Sequence, residues 1–106
     1  PMGPLYRQMK LKGNTIVLDF AYSGSGLVNS DGQALKGFTI AGADGKFVAA
    51  KAIIKNNEVE VSAGAIQHPL AVRYGWNEAD HPNLYNKEGL PAFPFRTDNS
   101  LAKQFR

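Results

Sequence analysis

The residues best suited to acid–base chemistry are the two histidines, His68 and His81. His81 follows Asp80 and precedes a proline, and a neighbouring carboxylate could orient its imidazole as a general base. Hydrolysis also needs a positioned nucleophile and oxyanion donors. No serine lies in the G-x-S-x-G pattern that presents such a nucleophile: Ser23, Ser25, Ser30, Ser62 and Ser100. We therefore predict no catalytic residue in the chain and interpret Asp80 and His81 as solvated loop residues.

Metal chemistry has even less support in the sequence. The nine acidic residues and two histidines are scattered, with no His-x-His or H-E-x-x-H spacing. Asp31-Gly32 and Asp44-Gly45 predict turns rather than calcium loops, which supply several oxygen ligands within a dozen residues. The chain has no cysteine, which excludes disulfides and thiolate sites. We predict no metal and no cofactor.

Aromatic and amide side chains offer a binding chemistry instead. Sugars stack their apolar faces on aromatic rings and form hydrogen bonds with amides. Trp76, Asn83 and Tyr85 supply both groups within ten positions and are our candidates for contact with a substrate or an interface. The alternative for Trp76 is a core position, because it continues the alternation of Val72 and Tyr74. An autonomous carbohydrate-binding module therefore stays open as a second function.

The run Gly89–Arg96, here called the strap, combines large apolar side chains with prolines. Residues before proline are pushed toward extended conformations, so the run cannot be a helix. Apolar side chains of this size are stabilised by about 1.5–3 kcal/mol each when buried. We predict that the strap fastens the chain to a neighbouring domain through Leu90, Pro91, Phe93, Phe95 and Arg96.

The elements that carry these residues follow a period of two. Ile16, Leu18 and Phe20 share one face of a predicted strand, as one-sided burial of a sheet requires. The same alternation predicts inner positions for Met9, Leu11, Phe38, Ile40, Val59, Val61, Leu70, Val72, Tyr74 and Trp76. Gly13-Asn14 and Asn56-Asn57 are two-residue hairpin candidates, because Gly and Asn tolerate positive φ.

Short strands at intervals of about 8–15 residues, without an amphipathic helix between them, are typical of an antiparallel β-sandwich. We therefore predict an all-β antiparallel sandwich with a long irregular C-terminal segment. Ser23-Gly24-Ser25-Gly26 is interpreted as a loop within it rather than a linker, because strand patterns flank it on both sides. The 106 residues suffice for one domain, residues 1–106.

Composition excludes two classes of partner. The net charge is +3, but the twelve Lys and Arg residues are spread along the chain without a dense basic stripe, so we predict no nucleic-acid binding. The longest apolar runs are far shorter than the ~20 residues of a spanning helix, so we predict no membrane segment. The start Pro-Met-Gly-Pro suggests a chain cut from a longer one.

Four segments resemble one enzyme family: GPLYRQM at Gly3–Met9, GFTIAGADGKFVAA at Gly37–Ala50, AVRYGW at Ala71–Trp76, and NLYNKEGLPAFPFRTD at Asn83–Asp98. Together they resemble the carboxy-terminal end of the sialate O-acetylesterase family, over about residues 3–98. The order of the last two segments is not a generic sandwich pattern.

The resemblance implies a parent enzyme with an SGNH-hydrolase catalytic domain that removes acetyl groups from sugar hydroxyls. Its serine, aspartate and histidine belong to motifs upstream of this chain, so the resemblance places no catalytic residue here. It implies a non-catalytic β-domain that packs on the catalytic domain of the same polypeptide and helps shape the cleft for acetylated carbohydrate. It also implies a periplasmic or secreted parent.

Overall fold

The part of the chain that the structure describes folds into two four-stranded antiparallel sheets and one two-stranded sheet. The computed structural model describes residues 2–76 and 81–98. Their strands are β1 (Leu5–Lys12), β2 (Thr15–Ala21), β3 (Leu27–Asn29), β4 (Phe38–Ala41), β5 (Val48–Ala49), β6 (Lys51–Lys55), β7 (Glu58–Ser62), β8 (Ala71–Tyr74), β9 (Leu84–Asn86) and β10 (Phe95–Arg96). The first sheet has the order β1-β2-β7-β6, the second β10-β8-β4-β5, and β3 pairs with β9. The all-β prediction is confirmed.

Two hairpin turns hold the first sheet in register. Asn56 and Asn57, between β6 and β7, have φ values of 53° and 59°. Gly13, between β1 and β2, has φ of 62°. Left-handed residues at such positions match the twist of the flanking strands, and these residue types adopt that conformation readily. Both turns lie where the sequence predicts them.

The core lies between the two larger sheets, where their alternating residues meet. Completely buried side chains come from both sides, including Ile16, Leu18, Val59 and Val61 of the first sheet and Ile40 and Val72 of the second. β1 departs from regular pairing at Arg7, the extra residue of a β-bulge between Tyr6 and Gln8.

Three of the predicted inner positions are wrong: Leu11, Leu70 and Trp76 are 55%, 54% and 51% exposed. Leu11 lies near the end of β1, which is an edge strand. Leu70 precedes the first residue of β8. Gly75, with φ of 72°, ends the extended backbone before Trp76, so the inward phase of β8 does not reach the tryptophan.

The C-terminal segment is irregular but not unpaired. β9 pairs with β3, and β10 joins the edge of the second sheet beside β8. Within residues 2–76 and 81–98, no helix is long and apolar enough to cross a bilayer.

Candidate functional site

Main-chain hydrogen bonds fix the strap along its whole length. The N–H of Leu90 donates to Asn86 Oδ1 over 3.0 Å, and the carbonyl of Leu90 accepts from the Asn86 N–H. The N–H of Ala92 donates to Leu84 O over 2.9 Å, and that of Phe93 to Pro4 O over 3.0 Å. Positions 91 and 94 are prolines and have no N–H to satisfy. The strap is therefore a rigid element whose side chains have set directions.

The inner part of the strap, Phe95 and Arg96, forms β10, and Phe95 belongs to the domain's own core. Phe95 is 8% exposed, and its ring lies 5.0 Å from that of Tyr6 and 5.7 Å from that of Tyr74. It also meets Phe20 and Phe38 edge to face, at 5.6 and 6.5 Å. The prediction that Phe95 contacts a neighbouring domain is therefore corrected, because its ring is occupied by intradomain packing.

The outer part of the strap, Leu90–Pro94, has the opposite character. Phe93 is 42% exposed, Pro91 and Pro94 are exposed, and Leu90 is half-buried. A groove of about 430 Å³ runs along this part. It is lined by Gly3, Tyr74, Gly75, Pro82, Leu90, Pro91, Ala92, Phe93 and Pro94, none of which carries a charged side chain. We call this the strap groove.

Glycines let the prolines around the strap groove approach the backbone. A Cβ on Gly3 would overlap the Pro91 carbonyl oxygen, and one on Gly75 would lie 3.2 Å from the Pro94 side chain. A Cβ on Gly37 would lie 3.3 Å from Pro82. The shape of the groove thus depends on glycines that leave room for the prolines. Counting apolar residues along the sequence does not detect this dependence.

An ion-pair cluster holds the inner end of the strap. Asp98 accepts hydrogen bonds from Arg73 Nη2 and Arg96 Nη2, both over 2.9 Å. The Arg73 guanidinium, helped by Arg96 and opposed by desolvation, lowers the pKa of Asp98 to about 2. Thr97 adds two bonds to Val72, through its N–H and its hydroxyl oxygen. Arg96 is therefore bonded to Asp98 within this domain. Its contact with a neighbouring domain stays a prediction.

Trp76 lies beside this cluster. Its ring centroid is 5.9 Å from Arg96 Cζ, within the range of a cation–π contact, and the residue is 51% exposed. Tyr85 lies at the other end of the strap, half-buried in β9 and bridged to Pro91. Trp76 and Tyr85, two of the three predicted contact residues, thus lie along the strap rather than together in one pocket.

Asn83 does not belong to an accessible site. The residue is 2% exposed, and its Nδ2 donates to Asp31 Oδ1 over 2.8 Å and to Ala34 O over 3.1 Å. Its Oδ1 accepts from the Lys36 N–H over 2.8 Å. The side chain therefore fastens the loop between β3 and β4, and the prediction that it contacts a substrate or partner is corrected. Loop amides of this kind satisfy buried backbone groups.

The acid–base residues are not assembled for catalysis in the part of the chain that the structure describes. His68 and His81 are both exposed, and Asp80 and Ser100 lie outside the described residues. In residues 2–76 and 81–98, no three His, Cys, Asp or Glu side chains are grouped so that they could hold a metal ion.

Sequence reasoning missed Asn86 and Asp98 as organising residues. Asn86 is 3% exposed and bonds both the strap and the loop after β2, because its Nδ2 donates to Tyr22 O over 3.3 Å. A buried Asn within an otherwise polar run has no signature in the sequence. Asp98 has one: a carboxylate two residues after Arg96, at the end of an apolar run.

The fold of this chain is similar to part of a known enzyme. A carbohydrate acetylesterase from Xanthomonas citri has a solved structure that aligns with this chain at a TM-score of 0.86 and 43% sequence identity. The alignment covers 92% of this chain and 23% of that chain. No protein-family model and no curated protein matches the chain. The chain therefore spans less than a quarter of the acetylesterase it matches, as one domain of a larger protein would.

Proposed function

We propose that the chain is a non-catalytic accessory domain of a carbohydrate O-acetylesterase. It packs on an SGNH-type catalytic domain of the same polypeptide and helps shape the cleft that takes the acetylated sugar. The likeness to 23% of an acetylesterase supports a role as one part of such an enzyme. The sialate O-acetylesterases are the specific parent family that we propose, on the resemblance of the segments Ala71–Trp76 and Asn83–Asp98.

The outer strap is the observation that carries this proposal. Its main-chain N–H groups are satisfied internally, so its exposed rings do not result from a loose segment. Phe93 keeps 42% of its surface exposed beside an uncharged groove of about 430 Å³. A rigid aromatic next to an apolar groove is the usual centre of a protein interface, because little entropy is lost when it binds.

The position of the N-terminal residues beside the outer strap supports docking at that surface. Pro4 accepts the Phe93 N–H, Gly3 lines the strap groove, and Met2 is 43% exposed. A catalytic domain joined ahead of Met2 would therefore enter next to the outer strap. Docking there would bury Phe93 and the rim of the groove without a long linker.

Thiol accessibility tests the docking directly, since the chain has no cysteine of its own. Phe93→Cys and the control Leu70→Cys are introduced into the 106-residue chain and into the longer polypeptide that contains it. Leu70 suits the control because it is 54% exposed and lies outside the strap groove. Maleimide labelling is expected to slow at position 93 in the longer polypeptide and to stay unchanged at position 70.

Equal labelling of position 93 in both proteins would contradict the proposal, and so would a gene that encodes no domain ahead of Met2.

A second measurement uses the separated parts, the 106-residue chain and the catalytic domain. Phe93→Ser is expected to weaken binding of the chain to the catalytic domain by about tenfold or more, which corresponds to about 1.4 kcal/mol. Leu70→Ser is expected to leave that affinity unchanged.

An autonomous carbohydrate-binding module is the second candidate, favoured by the exposure of Trp76. Trp76 is the only tryptophan, so its fluorescence reports on binding at this position. Titration with acetylated sialosides and acetylated xylo-oligosaccharides is expected to change the emission if sugars stack on the ring. Constant emission at millimolar sugar would remove this candidate and leave the docking proposal untouched.

A further inference from the structure

The loop after β2 contains a backbone outlier. Tyr22 has φ of 59°, in the left-handed region that bulky residues rarely adopt. The other described non-glycine residues with positive φ are Asn56 and Asn57, whose hairpin requires that conformation. Tyrosine has no such preference, and a glycine would take the same φ without strain. Strained residues of this kind persist where the surrounding structure holds them, and they cluster at functional sites.

Neighbouring groups hold this loop from two sides. The buried Asn86 donates to the Tyr22 carbonyl over 3.3 Å. The Glu88 carboxylate accepts from the Ser25 N–H over 3.1 Å and from the Ser25 hydroxyl. The N–H of Lys87 donates to Gly26 O over 2.9 Å. We call the paired segments 22–26 and 86–88 the Tyr22 corner.

The strain is not compensated by burial of the ring. Tyr22 is 56% exposed, the largest value among the exposed large hydrophobic residues that the structure describes. A held backbone with an exposed aromatic side chain is pre-organised to contact something outside the domain. We propose that Tyr22 is the stacking residue of a carbohydrate-binding site at this corner.

The chemistry around Tyr22 fits a sugar better than a protein surface. Lys87 and Glu88, in the segment paired with the Tyr22 loop, are exposed. Hydrogen bonds from Ser25 lower the pKa of Glu88. A sugar ring stacks its apolar face on an aromatic ring while charged groups bind its hydroxyls. The strap groove has no charged lining residue and suits an apolar protein side chain instead.

Substitution at position 22 separates a ligand contact from simple strain. Glycine adopts the left-handed conformation without strain, so Tyr22→Gly removes the strain energy of the folded chain. This gain offsets the larger conformational entropy of glycine in the unfolded chain. The variant is therefore expected to unfold at the same temperature as the parent chain or higher. It is also expected to bind sugar at least about tenfold more weakly, whereas Tyr22→Phe keeps the ring and most of the affinity.

The probe is an acetylated xylo-oligosaccharide, with the deacetylated oligosaccharide in parallel, followed through backbone amide chemical shifts. Shifts are expected at Ser25, Lys87 and Glu88. Shifts confined to the surroundings of Trp76, no shifts with either sugar, or unchanged affinity of Tyr22→Gly would each overturn the assignment. The titration uses the 106-residue chain alone, so its outcome does not depend on whether the strap docks on a catalytic domain.

Discussion

The outer and inner parts of the strap differ although they are adjacent and similar in composition. Phe93 and Phe95 are two positions apart, yet the first is 42% exposed and the second 8%. Phe95 lies in β10 and pairs with Tyr74 across the sheet. Phe93 bonds to Pro4 and lies before β10 begins. The backbone partner of each residue, rather than its apolar character, decides whether the ring serves the core or a surface.

Substitution of the two rings should show the largest difference. Phe95→Ala removes a ring packed against four other aromatic rings and is expected to cost about 3–5 kcal/mol of the free energy of unfolding. Phe93→Ala removes a ring that is 42% exposed and packs against none of these four rings, and it is expected to change the free energy of unfolding by no more than about 0.5 kcal/mol. Urea unfolding of both variants measures the contrast. Similar losses at the two positions would contradict the division of the strap into inner and outer parts.

Much of the sandwich could be predicted from local chemistry. The Asn56-Asn57 turn and the alternation of Val59 and Val61 depend on neighbours in sequence, and both are found as predicted. The errors occur where the alternation stops. β8 ends at Tyr74, and the positive φ of Gly75 turns the backbone so that Trp76 lies at the surface. The residue type alone does not show that this glycine has a positive φ.

The candidate site was less predictable because it depends on contacts between distant segments. Asn83 bonds backbone groups of the loop that contains Ala34 and Lys36, almost fifty positions earlier. No spacing within the strap region reveals such partners. The apolar excess of the strap was visible in the sequence, but its division between Phe93 and Phe95 was not.

Gly3→Ala tests how closely the outer strap is seated on the backbone. The added methyl group would overlap the Pro91 carbonyl, so either the strap or residues 2–4 must move. Overpacking of this kind is expected to cost about 1–3 kcal/mol of the free energy of unfolding. Gly64→Ala is the control, because its Cβ would meet no atom within 4 Å and its φ is not positive. Equal stability of the two variants would show that the outer strap is loosely seated.

Acid should weaken the inner end of the strap by a smaller amount. The pKa of Asp98 in the folded chain is about 2, because Arg73 and Arg96 hydrogen-bond its carboxylate. Its pKa in the unfolded chain is about 3.9. A lowered folded pKa gives stability that is present above the unfolded value and is lost as the pH falls toward about 2.

The side chains of Asp98 and Arg73 are 22% and 28% exposed, so solvent screens the pair and the expected contribution is on the order of 1 kcal/mol. Asp98→Asn removes the titrating group and leaves the other carboxylates in place. The stability difference between the parent chain and this variant should therefore shrink as the pH falls from about 5 to about 2, as linkage requires. A difference that stays constant over this window would mean that the Asp98 carboxylate does not hold the inner strap, and the core packing of Phe95 would be its main attachment.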